Sequence, residues 1–353
     1  MTSTSVSSAS KYRPQDFKEM IGQDAIVKTL SNAIKNNDIP QALLFCGPRG
    51  VGKTSCARIL AKKINNLKEN FEYNIFELDA ASNNSVEDIR NITDQIRIPP
   101  QSGIYKVYII DEVHMLSNQA FNAFLKSLEE PPKHVVFILA TTEKNKIIPT
   151  ILSRCQIFDF KKIDTNSIVK LLEKICKEQK IKYDENSLHL IADKSDGSVR
   201  DSLSIFDRLV TFTDSKLNIS NVSLNLNILD YSTYFELLNE IEKKNIPGIL
   251  NIYNNIYNRG ISDVDFLNGL TKHLRGILIN GFNSSHPIDF ENNNLKSNYI
   301  NFSKHLPHDE IIFMIDTINE TLIHYQKIND KRIHTELCLL KLASTNSIKK
   351  KNS

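Results

Sequence analysis

At 353 residues, with 41% hydrophobic and 24% charged residues and a formal charge of +3, the chain has room for two or three globular domains. No apolar run approaches the length of a membrane span, and so small a charge does not by itself announce a nucleic-acid binder. Cys46, Cys56, Cys155, Cys176 and Cys338 are scattered without C-x-x-C spacing, so neither zinc nor a disulfide framework is indicated, which fits a reducing cytoplasm.

Residues 1–10 are rich in Ser and Thr, with no basic start or apolar core, and read as a disordered leader and not a secretory signal. Within the apolar run Ala42–Cys46, Leu43–Cys46 reads as a short buried strand, and Ser55–Ile64 carries a helical pattern. Between them, Gly47-Pro48-Arg49-Gly50-Val51-Gly52-Lys53-Thr54 matches the full phosphate-loop pattern G-x-x-x-x-G-K-S/T. Glycines let the backbone fold tightly enough for successive N–H groups to face phosphate oxygens, and the following helix adds its N-terminal donors. Lys53 is placed to reach the β- and γ-phosphates and Thr54 to ligate Mg²⁺, so the chain is expected to bind a nucleoside triphosphate.

Ile75–Leu78 is a second strand, and Ser85 is a plausible N-cap for a helix that Pro99-Pro100 stops. Lys106–Ile110 is β-branched and aromatic. Residues 117–130 place Phe121, Phe124, Leu125 and Leu128 at helical spacing and end at Pro131-Pro132. Val135–Ala140 and Gln156–Phe160 are two further strands, with a short apolar helix at Ile147–Leu152 before the last. This alternation predicts an α/β fold, a parallel sheet covered by helices on both faces. After about Asp164 the pattern reads as wholly helical. Ser167–Lys177, Asn186–Lys194 and Ser198–Phe212, the last with Ser198 as N-cap, make a small bundle. Thr213–Asn227 reads as a linker or short helix, Tyr231–Ala343 as several longer amphipathic helices, and Lys349–Lys351 as a basic tail. The expected organisation is a leader at 1–10, a nucleotide-binding domain at 11–164, a three-helix lid at 165–225, a helical domain at 226–345 and a tail at 346–353. There is no internal repeat.

Five further residues carry chemistry. The strand ending in Asp111-Glu112 places carboxylates at the C-terminal edge of the sheet, where open α/β folds bind ligands. Asp111 can hold Mg²⁺ through water, and Glu112 can orient and deprotonate the attacking water, which turns binding into hydrolysis. Thr142, at the end of the next strand, can position water or sense the γ-phosphate; a plain strand-end threonine is the alternative. Arg154 lies far along the chain from the phosphate loop, either as a surface arginine or as a finger on a neighbouring subunit's ATP. Arg200, near a helix start, can reach the γ-phosphate from the lid or pair with an acid such as Asp201.

Together with these pieces, Lys11-Tyr12-Arg13-Pro14-x-x-Phe17, Ile21-Gly22-Gln23, Asp79-Ala80-Ala81-Ser82, residues 110–116 (IDEVHML), 125–132 (LKSLEEPP), 139–143 (LATTE), 151–155 (ILSRC) and 197–204 (GSVRDSLS) resemble the bacterial DNA polymerase III clamp-loader ATPases of the gamma/tau family. The resemblance is strong over about residues 11–212; beyond 213 it rests on length and helical character. It implies an AAA+ P-loop ATPase with a lid bundle and an all-α collar. It assigns Lys53 and Thr54 to Walker A, Asp111 and Glu112 to Walker B, Thr142 to sensor 1, Arg154 to the trans-acting finger and Arg200 to sensor 2. By the same resemblance Tyr12, Arg13 and Ile21 line the adenine pocket. Gly47, Gly50, Val51, Gly52, Lys53, Thr54 and Ser55 hold the nucleotide, and Thr54 and Asp111 hold Mg²⁺ through ATP.

The implied partners are other gamma/tau copies and the delta and delta-prime subunits in an open five-membered ring, the sliding clamp, and primed DNA contacted through its backbone. The implied setting is cytoplasmic chromosome replication, with polymerase chemistry in another subunit, since no paired-carboxylate nucleotidyl-transfer site is evident. Two departures stand out. Family members commonly carry a four-cysteine zinc module in the span that here reads Asn65–Asn74 and holds no cysteine, so no zinc is expected. Ser353 leaves no room for a tau-type extension, so a short, gamma-like form is expected. Residues 101–104 are uncharged, which argues against DNA-backbone contact there. A Holliday-junction branch-migration motor would need a winged-helix tail, which nothing after residue 230 suggests. A non-hydrolysing scaffold subunit would have a degraded site, and Lys53, Thr54, Asp111 and Glu112 are intact.

Overall fold

The computed structural model describes residues 7–65, 73–100, 103–213, 216–226, 229, 231–281 and 293–344, and the chain divides into two units, residues 1–222 and 223–353. The first unit begins with one helical turn, α1 (Ser8–Lys11), then α2 (Asp24–Lys35), β1 (Ala42–Cys46), α3 (Lys53–Ile64), β2 (Ile75–Asp79), α4 (Val86–Ile96) and β3 (Lys106–Asp111). It continues with α5 (Asn118–Glu129), β4 (Val135–Thr141), α6 (Pro149–Leu152) and β5 (Gln156–Asp159). The five strands form one parallel sheet in the order β2-β3-β4-β1-β5.

Alternation along each strand divides the core between the two faces of this sheet. Leu43, Phe45, Val107, Ile109, Val136 and Ile138 pack against Cys56, Ala57, Leu60 and Ile64 of α3 on one face. Leu44, Tyr108, Ile110, Phe137 and Leu139 meet Ile89 of α4 and Phe121, Phe124 and Leu128 of α5 on the other. Every residue of β1 and β4 is buried, the signature of central strands covered on both sides. The first strand of the chain lies inside the sheet, between β4 and β5, so β4 separates β1 from β3, and the C-terminal ends of these three parallel strands meet at one edge.

The lid follows as α7 (Thr165–Gln179), β6 (Lys182–Tyr183), α8 (Glu185–Lys194), α9 (Val199–Phe212), β7 (Lys216–Leu217) and α10 (Ile219–Asn225). Asp164 caps α7 by accepting from Ser167 N at 2.8 Å, so that helix starts before Ser167, the residue where the apolar pattern begins. Ser198 caps α9 by accepting from Asp201 N at 3.2 Å. The reading of residues beyond 164 as wholly helical needs correction. β6 and β7 pair in parallel, Lys182 with Lys216 and Tyr183 with Leu217. Two-residue strands are too short to show a period, so the pattern hides them.

A second correction concerns the leader. Residues 8–10 belong to α1, Ser8 is buried, and its amide donates to Asp207 Oδ2 of α9 at 2.7 Å. Ser-rich composition reads as disorder, but this turn is held by the lid helix. Residues 66–72, most of the span where a zinc module is expected to be absent, lie outside the described residues, as do residues 101–102 and the tail at 346–353.

The second unit consists, among the described residues, of α11 (Tyr231–Glu242), α12 (Ile246–Asn258), α13 (Asp263–Gly281), α14 (Asn293–His305), α15 (His308–His324) and α16 (Lys331–Ala343). Leu238, Tyr253, Phe266, Leu270, Ile311, Met314 and Leu339 belong to its single apolar core. No helix among the described residues is long and apolar enough to cross a membrane.

Gln23 sits where the N-terminal segment meets the sheet. Its side chain is buried, donates to Lys161 O at 2.9 Å and accepts from Lys161 N at 3.4 Å, tying the start of α2 to the strand end after β5. Truncating it removes the hydrogen bond to the Lys161 carbonyl, and the loss of such a bond costs about 0.5–1.5 kcal/mol. Gln23→Ala is therefore expected to lower the unfolding free energy by about that amount in urea titration. An unchanged midpoint and slope would contradict this role.

Candidate active site

The phosphate loop leaves β1 as a continuation of the ladder, with Gly47 N donating to Thr141 O at 3.2 Å. A Cβ on Gly47 would collide with the backbone of Phe160, so the loop can hug the neighbouring strand end only with glycine there. At Gly50 the backbone has φ 73°, and a Cβ would run into Ser198 Oγ of the lid. The same residue's carbonyl accepts from Arg200 N at 3.3 Å, so the start of α9 is seated directly on the loop. Gly52 is the N-cap of α3, and a glycine cap lacks the side chain that usually satisfies first-turn amides. First-turn amides without a side-chain cap are the kind of donors that bind anions at a helix N-terminus.

Lys53 is only 6% exposed, and its Nζ donates to Gly47 O and Pro48 O, each at 2.8 Å. Burial pulls its pKa below the ordinary lysine value, while Glu112 and Asp111 pull the other way. Thr54 Oγ1 donates to Asp111 Oδ2 at 2.7 Å, which joins the loop to the end of β3. Both groups are hard oxygen donors of the kind Mg²⁺ takes. Ser55 and Val51 complete the wall of the loop.

Glu112 leaves β3 in the left-handed region at φ 48°, uncommon for a residue with a side chain and a sign of local constraint. That turn carries its carboxylate toward β4, where Oε2 accepts from Thr142 N at 3.3 Å and from Thr142 Oγ1 at 3.1 Å. Asp111 Oδ1 accepts from Glu112 N at 3.0 Å and braces the turn. His114 lies beyond Glu112, its Nδ1 3.0 Å from Thr141 Oγ1 and 3.5 Å from Glu112 Oε2.

These groups border a cavity of about 320 Å³. Tyr12, Arg13, Ile21, Gly50, Val51, Gly52, Lys53, Thr54, Ser55, Asp111, Glu112 and Arg200 all line it. Gly47 and Thr142 do not; one forms the root of the loop and the other reaches the cavity through Glu112. Ile21, Leu171 and Leu203 contribute apolar lining, and Arg13, Arg49, Lys53 and Arg200 bring four cationic groups into the same cavity as Glu19, Asp111 and Glu112. A planar base and a chain of phosphates suit this mixture of apolar and cationic lining. Burial, Arg58 and Arg200 push the Arg13 pKa down, and Glu77 opposes them. Arg58 is itself gripped by Glu77 through two hydrogen bonds, Nε to Oε2 at 2.8 Å and Nη2 to Oε1 at 2.6 Å.

Arg154 is not among the groups lining this cavity. It pairs with Glu129 at 2.7 Å and donates to Thr150 O at 2.7 Å, on the side of α5 and α6. Sequence reasoning overlooked Arg49, Leu171, Leu203 and His114. Arg49 stood inside the phosphate-loop pattern at a position the pattern leaves open, and His114 stood inside the 110–116 motif with no role attached.

A five-stranded parallel sheet with a phosphate loop, a Walker B edge and a helical lid defines a P-loop ATPase fold of the AAA+ class. The chain matches three family models in succession: "DNA polymerase III, delta subunit" over residues 22–164, "DNA polymerase III clamp loader subunit, ATPase lid domain" over 167–215, and "DNA polymerase III subunits gamma and tau domain III" over 221–353. DNA polymerase III subunit gamma of Buchnera aphidicola subsp. Baizongia pistaciae is 33% identical across 96% of this chain and 97% of its own length. DNA polymerase III subunit tau of Bacillus subtilis is 36% identical across 95% of this chain and 62% of its own, so the chain spans under two thirds of that relative. The chain belongs to the DNA polymerase III gamma/tau family. Among solved structures, the Thermotoga maritima RuvB Holliday junction branch migration motor superposes with a TM-score of 0.50 at 22% identity, covering 65% of this chain and 80% of that one. That likeness is one of fold.

Gly50→Ala is expected to destabilise the first unit by about 1–3 kcal/mol, since it forces a side chain into the left-handed region. It should also weaken binding of a fluorescent ATP analogue by unseating α9. Adding Ser198→Gly removes the colliding hydroxyl and should recover part of both losses. Equal stability and affinity in Gly50→Ala would show that the lid is not seated on the loop.

Proposed function

We propose that this chain is an ATP-hydrolysing subunit of the DNA polymerase III clamp loader, in which ATP binding and hydrolysis drive opening of the sliding clamp and its loading onto primed DNA. The observation that carries the reading is the 2.7 Å contact between Thr54 Oγ1 and Asp111 Oδ2, which joins the phosphate loop and the Walker B edge in one cavity. In this reading the loop amides and Lys53 hold the β- and γ-phosphates. Tyr12, Arg13 and Ile21 hold the adenosine end, and Arg200 reaches the γ-phosphate from the lid. Mg²⁺, held by Thr54 and through water by Asp111, would neutralise charge on the phosphates.

Glu112 orients a water and accepts its proton as the oxygen attacks the γ-phosphorus. The bond from the γ-phosphorus to the β–γ bridging oxygen breaks, and ADP and inorganic phosphate leave. Thr142 holds the Glu112 carboxylate from below. Intact Lys53, Thr54, Asp111 and Glu112 support a motor over a non-hydrolysing scaffold. Arg154 pairs within its own subunit on the side of α5 and α6, which suits a finger offered to the site of an adjoining subunit. The partners are further gamma/tau copies, delta and delta-prime subunits, the clamp and the DNA backbone, all in the cytoplasm.

Lys53→Ala is expected to abolish binding of ATP, read by equilibrium titration. Arg154→Ala should bind ATP normally yet lose turnover stimulated by delta subunits, clamp and primed DNA by about a thousandfold, the range of a trans arginine. Undiminished stimulated turnover in Arg154→Ala would remove the finger from the scheme. Equal turnover of the wild-type chain with and without these partners would remove the motor coupling.

A further inference from the structure

His114 stands at the one point where the ends of β3 and β4 are bridged by a ring with two polar nitrogens. Its side chain is 6% exposed. It follows the left-handed Glu112 by two residues, in the 3-10 turn Val113–Met115. Nδ1 lies 3.0 Å from Thr141 Oγ1 and 3.5 Å from Glu112 Oε2, and Nε2 lies 3.4 Å from Glu143 Oε1. Thr141 Oγ1 in turn accepts from Glu143 N at 3.0 Å, and Glu143 pairs with Lys146 at 2.9 Å.

Carboxylate oxygens only accept, so a ring nitrogen that faces one interacts favourably when it carries the proton. In the tautomer that carries its proton on Nδ1, that N–H faces both Thr141 Oγ1 and Glu112 Oε2. The same Oε2 already accepts from Thr142 N and Oγ1. The two Thr142 hydrogen bonds and the 3.5 Å approach of Nδ1 thus fall on one oxygen of Glu112, which leaves Oε1 as the oxygen to take a proton from water. Carboxylates with several donors on a fixed oxygen lose rotational freedom, and the precision of a reacting group's position governs rate.

We infer that His114 is a positioning residue for hydrolysis: through Nδ1 it fixes the rotamer of the Glu112 carboxylate against the end of β4, with Nε2 on the far side of the ring 3.4 Å from Glu143 Oε1. The inference rests on the reading of Glu112 as the base. A ring that served only to fill space between the strand ends would need neither nitrogen. The two arms can be separated chemically, because the amide nitrogen of Asn overlays Nδ1 of His, and that of Gln overlays Nε2.

The test is steady-state phosphate release by the full chain with delta subunits, clamp and primed DNA, for wild type, His114→Ala, His114→Asn and His114→Gln. Affinity for a slowly hydrolysed ATP analogue and the melting temperature are measured on the same samples. His114→Ala should lose roughly tenfold or more in kcat, the worth of a hydrogen bond to a charged group, with analogue affinity unchanged. His114→Asn should recover most of that loss and His114→Gln should not. Unchanged turnover in His114→Ala overturns the inference, as do equal losses in His114→Asn and His114→Gln or a fall in affinity that accounts for the rate. If His114→Ala does not fold, the Asn-to-Gln comparison decides alone: a high Asn rate beside a low Gln rate supports the role, and any other order refutes it. Absence of turnover in the wild type would instead sink the assignment of Glu112 as the base, and with it this role.

Discussion

The seating of the lid on the phosphate loop is the contact on which the rest of the site depends. Gly50 O accepts from Arg200 N at 3.3 Å, and Ser198 lies against the glycine where any side chain would stand. A single backbone hydrogen bond is worth about 1 kcal/mol, too little to hold two subdomains together. It is reinforced from outside the loop. Ile163 N donates to Gly197 O at 3.1 Å, Ser8 N donates to Asp207 Oδ2 at 2.7 Å, and Gln179 Nε2 donates to Tyr12 OH at 3.2 Å. The N-terminal segment therefore straps the lid from one side while the loop receives α9 from the other. Between them lies the cavity.

Sheet order supplies the second constraint. Because β4 separates β1 from β3, the loop, Asp111-Glu112 and Thr141-Thr142 arrive at one edge from three adjacent strands. Backbone ladders fix their spacing before any side chain acts, and the side chains then make only short local links: Thr54 to Asp111, Glu112 to Thr142, His114 to both strand ends. Rigid strands beneath and a helical lid above form a site whose precision comes from the sheet and whose closure comes from the lid.

Much of this was legible in the sequence, for identifiable reasons. The phosphate loop announces itself because glycine and lysine are chemically irreplaceable at fixed spacing, and the central strands because burial on both faces makes them continuously apolar. Ser198 as a cap and the Pro99-Pro100 stop were legible because capping and chain-breaking are local. What escaped was non-local or too short to be periodic. β6 and β7 pair across more than thirty residues with two residues each. The turn at Ser8 exists only because Asp207 is there to receive it. The Gln23 bond to Lys161 spans 138 positions. His114 takes its meaning from Thr141 and Glu143, which no reading of its own strand could supply.

The central claim is that Glu112, held at the end of β4, turns triphosphate binding in this cavity into hydrolysis. It is tested most directly by Glu112→Gln, with ATP affinity and single-turnover phosphate release measured on the same assembled complex. The substitution keeps size and removes the base. The account predicts affinity within about threefold of wild type and a rate at least about a hundredfold lower, the scale of general-base catalysis. A rate near wild type, or a loss of binding that accounts for the whole loss of rate, would contradict it.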